Sequence, residues 1–487
     1  MANVISKILM SEYSMPYNCY ELGHTWTPYC SRACLDVGYF VFKESFKMYA
    51  GLYLTTHFIS KRRLESTAFL EALKSVFRSS SFLGFNAFAA IACFCGTRKL
   101  MDKFYLPILG HIPATIASLM AIYLERKSRR PALAFYVTNV ASESLYKMFL
   151  SKGFVKRFKY DELILFTLTM STLMYLIKLN GYGNDFVSLV LRSVIGNEEN
   201  FRRVEKKKMN GNVKENSCEQ QIIPEINTTC KSENTSTVHF QFDNKYLKYI
   251  RSLKIYTFFK SIIDYKHDSC PHGNTCLRYT ANGFIRGFIP GYIFSSLIQV
   301  LKRPKLYFKD PSNFLNLLKD QKCFKFALFL ASFSSTFKAT NCLLRMINNG
   351  DNAWQTSLAA FCASFALLFS PNPTITQYLF WKSIETVYFL GIKNGYIKHG
   401  ELKLNILYAF SVAQLFYVSV VHPEFMRQSY LKFMLRMTNN YIAKLNRNII
   451  NTLGVRSTAG FDLFVPNLQY EHTSKKFKEA VLMWMVQ

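Results

Sequence analysis

Two apolar stretches of this chain are built to one plan. Pro131, Tyr136, Glu143, Tyr146 and Gly153 recur as Pro373, Tyr378, Glu385, Tyr388 and Gly395, at a constant offset of 242 positions without a gap. Five uncommon residues do not fall into register by chance, so the chain reads as an internal duplication. Fainter echoes extend it. Phe69-Leu-Glu-Ala-Leu-Lys74 returns as Phe314-Leu-Asn-Leu-Leu-Lys319, and Leu189–Arg192 as Phe433–Arg436. Each central stretch is apolar, of helix length, and carries one acid in its middle.

That pattern decides the class. A hydrocarbon core of ~30 Å needs roughly 17–25 mostly apolar helical residues. Blocks of this size are expected at about 82–97, 104–124, 133–150 and 161–178, and again at 325–346, 353–370, 375–392 and 404–421. The chain is therefore expected to be an all-α, multi-pass helical membrane protein with four spans in each half. Residues 36–60, broken by Lys43, Glu44 and Lys47, read as an amphipathic helix lying in the interface. A corresponding helix is expected at 282–301. Ala114/Ser118 and Ala117/Ala121, like Ala359/Ala363 and Ala360/Ser364, make small-residue pairs that let helices approach closely.

The order along the chain follows. A polar, Cys-rich segment at 1–34 precedes a first helical repeat at 35–195. A polar linker at 196–248, with Lys206-Lys-Lys208, has the composition of a disordered segment. The second repeat occupies 249–440, and a basic tail runs over 441–487. The first twenty residues lack a signal-peptide layout, and Ala2 excludes N-myristoylation. Asn227 and Asn234 begin formal glycosylation sequons, expected to be unused on a cytosolic face.

A formal charge of +29 raises the question of nucleic acid. The cations are spread over short loops and form no single stripe, so lipid headgroups explain them better, at roughly 1 kcal/mol per cation near the surface. Arg126, Lys127, Arg129 and Arg130 are the expected headgroup contacts. Arg98 and Arg345 close matching Cys-x-x-Arg sequences and are expected to anchor there too.

An acid near the centre of a membrane helix costs roughly 2.5–3.5 kcal/mol, so Glu143 and Glu385 must face protein or water. Lys147 at i+4 and Lys382 at i−3 are placed to pair with them. Tyr146 and Tyr388, three residues on, are placed to hydrogen-bond the acids. A structural ion pair, a polar groove and a transport relay all stay open for these six residues. Twelve cysteines, several in apolar helices, do not form a secreted disulfide framework. Cys19, His24 and Cys30 stand opposite Cys270, His272 and Cys276 at equivalent places in the two halves. One zinc site shared between the halves, disulfides within each cluster, and unmodified thiols are the alternatives. No catalytic or phosphate-binding motif is present, so neither catalysis nor a cofactor is expected.

Cys19-Tyr-Glu-Leu-Gly-His24-Thr-Trp-Thr-Pro-Tyr-Cys30, Glu125-Arg-Lys-Ser-Arg-Arg130 and Tyr430-Leu-Lys-Phe-Met-Leu-Arg436 resemble the transmembrane protein 135 family over nearly the whole chain outside the linker. That family is distantly similar to the Tim17/Tim22/Tim23/peroxisomal-membrane-protein group, whose unit is four helices. The resemblance implies a peroxisomal and mitochondrial membrane protein linked to mitochondrial fission and to lipid metabolism. Membrane lipids and organelle-division proteins are the implied partners. A transporter or channel-like subunit built on the duplicated Glu/Tyr helices is the rival reading.

Overall fold

The computed structural model describes residues 14–60, 66–106, 109–183, 185–196, 266–302, 320–398, 400–462 and 464–486, with 199 and 307. The Lys206–Lys208 run, both sequons and the Phe314–Lys319 echo lie outside the described residues.

The elements in order are β1 (Ser14–Met15), α1 (Cys19–Leu22), α2 (Cys30–Ser60), α3 (Ser66–Met101), β2 (Phe104–Tyr105), α4 (His111–Ile122), α5 (Arg130–Ser151), α6 (Asp161–Asn180) and α7 (Phe186–Ile195). After the linker come α8 (Cys276–Lys302), α9 (Gln321–Asn348), α10 (Ala353–Ser364), α11 (Pro373–Lys393), α12 (Glu401–Val421), α13 (Gln428–Met437), α14 (Arg447–Asn451) and α15 (Lys475–Val486). The two strands pair antiparallel, Ser14 with Tyr105 and Met15 with Phe104. Among the described residues, all else of length is helix.

The duplicated stretches become α5 and α11, and the repeated residues explain their bounds. Pro131 and Pro373 sit in the first turn, where a missing N–H is harmless and the ring presets φ. Gly153 and Gly395 adopt φ of +76° and +78°, the left-handed geometry that ends a helix. After α5, Gly153 N–H donates to Leu150 O and Phe154 N–H to Phe149 O, so the last carbonyls are satisfied.

Two compact units form, residues 1–159 with 380–487 and residues 160–379. Each draws helices from both halves of the sequence. In the first unit α2 packs on α3, α3 on α4, and α12 on α4 and α5, while α13 lies against α2. In the second unit α8 packs on α9, α9 on α10, α6 on α10, and α7 against α8. α6 and α7 of the first half are built into the second unit, and α12, α13 and most of α11 of the second half into the first. The segments 35–195 and 249–440 are therefore not the units of packing.

The small-residue pairs lie at these contacts. Ala114, Ala117, Ser118 and Ala121 of α4 and Ala359, Ala360, Ala363 and Ser364 of α10 are all buried. Phe82, Ile122, Val140, Tyr408 and Leu415 form the core of the first unit. Phe166, Met170, Met174, Phe333 and Phe337 form that of the second. The segment after 440 is no loose tail. Asn446 N–H donates to Leu22 O, Gln469 N–H to the Tyr20 hydroxyl, and Ser474 N–H to the Glu21 carboxylate, clasping α1.

Among the described residues, four helices are long and apolar enough to cross a membrane: Phe69–Met101, Asp161–Asn180, Cys276–Lys302 and Glu401–Val421. Three of the eight expected blocks, 82–97, 161–178 and 404–421, lie in these helices. The 104–124 block yields only the twelve-residue α4, about 18 Å long at 1.5 Å per residue, because Phe104–Tyr105 is extended. The 353–370 block is α10 followed by a 3₁₀ turn. The helix at 282–301, not counted among the eight blocks, is also a crossing candidate. Ile285, Ile289, Ile293 and Leu297 are exposed, while its buried face consists of Tyr279, Gly283, Gly287 and Gly291. An apolar exposed face over a small-residue buried one is how a lipid-facing helix is built. The protein is a multi-pass, all-α membrane protein.

Candidate metal centres

The Cys/His residues of each half converge, and each set gains a fourth donor from a long helix. In the first unit Cys19 in α1, His24 just after it and Cys30 at the start of α2 meet Cys95 near the end of α3. In the second, Cys270, His272 and Cys276, which opens α8, meet Cys342 near the end of α9. Within each set the donor atoms lie within 4.8 Å of one another. The fourth thiols belong to Cys95-Gly-Thr-Arg98 and Cys342-Leu-Leu-Arg345, sequences first singled out for their arginines.

Local structure fixes the donors. Asn18 and Glu21 make a capping box around α1, with Glu21 N–H donating to Asn18 Oδ1 at 2.8 Å and Asn18 N–H to Glu21 Oε2 at 2.7 Å. His24 Nδ1 lies 2.8 Å from Thr27 O, and its buried Nε2 has no hydrogen-bond partner. His272 Nδ1 lies 2.7 Å from Asn274 O, and its Nε2 is 3.3 Å from Cys342 Sγ. Both rings are thus locked by a backbone carbonyl with Nε2 turned to the thiols, the usual support of a metal-binding imidazole. Burial lowers the His272 pKa, which favours the neutral imidazole a metal needs. Hydrogen bonding from Cys95, with His24 acting in the same direction, holds the Cys19 thiol well below its ordinary range. Burial instead pushes Cys270 up to about 11, so loading a metal there must release a proton.

Charged groups buttress the second set. His272 stacks on Tyr279, ring centroids 4.3 Å apart, and the Tyr279 hydroxyl donates to Glu199 at 3.0 Å. Glu199 grips Arg345, both fully buried, and Arg345 Nη2 also meets Asp351 at 3.2 Å. Arg345 is therefore no headgroup anchor, because a buried carboxylate claims it. Arg98 donates from Nε to Tyr17 O at 2.7 Å.

Residues 16–150 match the family model of the N-terminal cysteine-rich region of Transmembrane protein 135. Over that stretch the chain is similar to the transmembrane protein 135 family. The matched stretch contains all four donors of the first set, Cys19, His24, Cys30 and Cys95. No solved structure matches the chain.

The other candidate residues fall as follows. Lys147 Nζ lies 2.8 Å from Glu143, whose second oxygen accepts from Arg427 Nε at 2.7 Å. Lys382 Nζ lies 3.1 Å from Glu385. Tyr388 does not bond Glu385: its hydroxyl has no hydrogen-bond partner and its ring packs edge-on against Phe135. Tyr146 is exposed on α5. Arg427, from a short helix entry nearly 300 positions away, was not foreseen. Three of the four expected headgroup cations turn inward. Arg126 donates to Ser75 Oγ at 2.7 Å, Arg129 to Ser79 Oγ at 2.6 Å, and buried Arg130 to the carbonyls of Tyr123 and Glu125. Lys127, 75% exposed, keeps an outward face beside Glu401.

A single zinc site shared between the halves does not form. Each donor set closes within one unit. The added thiols sit more than sixty positions from their partners, and only the repeated Cys-x-x-Arg marked them.

Proposed function

We propose that the chain is a non-catalytic, multi-pass protein of peroxisomal and mitochondrial membranes that holds membrane lipid. Through lipid handling and recruitment of organelle-division proteins it acts on mitochondrial fission and peroxisomal lipid metabolism. The family match supports the membrane setting, and one cavity carries the lipid reading. It has a volume of about 470 Å³ and lies in the first unit, between α2, α3, α5, α12 and α13. Phe82, Val140, Val412 and Met434 give it apolar walls, and Arg427 and Ser429 supply a polar end. A volume in the roughly 300–1,000 Å³ range with few polar groups is that of a small-molecule site. An acyl chain with its polar end at Arg427 and Ser429 fits this chemistry. The matched packing orders of the two units support an internal duplication as part of the same reading. A Tim17-like ancestry of the unit rests on the resemblance alone.

Native mass spectrometry of the detergent-purified chain tests the cavity. The expected result is a co-purifying lipid, reduced several-fold in Ser429→Trp, which plugs the exposed mouth and leaves the core untouched. A chain that carries no lipid, or a variant that retains it in full, overturns the reading.

The rival translocation role would depend on the ionised acids of α5 and α11. Each already has a cationic neighbour. Glu143→Gln combined with Glu385→Gln is therefore expected to restore organelle shape in null cells when expressed at the normal level. Failure to do so at normal abundance would favour translocation.

A further inference from the structure

A zinc tetrahedron with Zn–S bonds of about 2.3 Å has S···S edges of about 3.8 Å. Cys270 Sγ and Cys276 Sγ stand 4.0 Å apart, and all donors of each set fit within 4.8 Å. A disulfide requires about 2.05 Å between sulfurs and would leave the locked imidazole idle. The spacing leaves room for one ion among the four donors, and three thiols with one imidazole is a donor set zinc takes in structural sites. The same arrangement is assembled twice from separate stretches of chain. Each time the leading segment supplies Cys, His and Cys, and a long helix supplies the fourth thiol one turn before its Arg. Each time, too, the histidine Nδ1 is held by a carbonyl two or three residues on.

We propose that Cys19, His24, Cys30 and Cys95 form one closed Zn²⁺ site, and that Cys270, His272, Cys276 and Cys342 form a second. With four protein ligands neither site keeps an open position, so the role is structural. The first fastens α1 and the start of α2 to the end of α3, and the second fastens the 266–276 segment to the end of α9. Loading converts the thiols to thiolates and releases their protons to solvent, with no change of oxidation state. Three thiolates, a neutral imidazole and Zn²⁺ leave one net negative charge, and the Arg345 guanidinium acts on the Cys270 thiol of the second set.

The test uses the full chain, purified in detergent under reducing conditions, with metal counted by elemental analysis. Two zinc ions per chain are expected. Cys95→Ser and Cys342→Ser should each retain one, and the double variant none. Cys93→Ser and Cys323→Ser, which alter cysteines outside both sets, should retain two. Cobalt exchange gives a second readout, the absorption of a tetrahedral cobalt thiolate. Should the serine variants fail to fold, His24→Cys and His272→Cys keep four donors each. They must then retain two metals and shift the cobalt spectrum towards an all-sulfur site. A wild-type chain that takes up neither zinc nor cobalt, or a folded double variant with undiminished metal, overturns the proposal.

Discussion

Glu199→Ala is expected to lower the stability of the 160–379 unit by about 3–5 kcal/mol, the usual consequence of stranding one partner of a buried ion pair. Arg345 and Glu199 are both 0% exposed. Without Glu199 the carboxylate left to the guanidinium among the described residues is Asp351, at 3.2 Å, and Lys178 Nζ already binds it at 2.6 Å. Tyr279 loses the acceptor for its hydroxyl as well, and its ring supports His272. Loss of a buried hydrogen bond costs about 0.5–1.5 kcal/mol by itself, although the two losses share partners and do not simply add. The double replacement Glu199→Leu with Arg345→Met removes both charges and should recover most of the loss. Amide hydrogen exchange across 323–342 in detergent reads the effect. Wild-type protection in Glu199→Ala would mean that this pair does not hold α9.

Much of the helix plan is legible in the residues themselves. The paired Pro and Gly positions mark where α5 and α11 begin and end, because each has a backbone reason to be there. The i+4 and i−3 lysines reach their acids because helix geometry alone puts them on one face. What escapes is non-local. The exchange of helices between units cannot be read from a repeat, since both halves offer the same apolar faces and either partner satisfies the pattern. Glu199 belongs to a stretch that composition marks as polar and solvated, yet it is the anion that takes Arg345 into the interior. Basic loop residues invite a headgroup reading, but Arg130 is held by the carbonyls of Tyr123 and Glu125 in the segment before its helix. For the metal centres, each half shows three donors at short spacing. The fourth lies at the far end of a helix hairpin, where only folding brings it close.

Gly287→Leu is expected to part α8 from α9 and destabilise the second unit by about 3 kcal/mol, the upper end of ordinary overpacking. A Cβ on Gly287 would stand 2.6 Å from Leu330 O and 2.7 Å from Ala331 Cα. Both are backbone atoms, so no rotamer change can make room. The helices must move, and with them Gly283 and Gly291, which face α9 along the same stripe. In water an apolar surface would draw the pair together again; in lipid that drive is missing, and close packing of small residues has to supply the attraction. The effect should therefore depend on which face is changed. Ile289→Ala alters the exposed side of α8 and is expected to shift stability by no more than about 0.5 kcal/mol. Gly51→Ala, where an added Cβ meets nothing within 4 Å, should gain up to about 1 kcal/mol from helix propensity. Thermal unfolding in detergent, with amide exchange over 276–302 and 321–348, separates the three. If Gly287→Leu unfolds at the wild-type midpoint with unchanged exchange, the glycine stripe does not face Leu330 and Ala331, and the α8–α9 pair is held by something else.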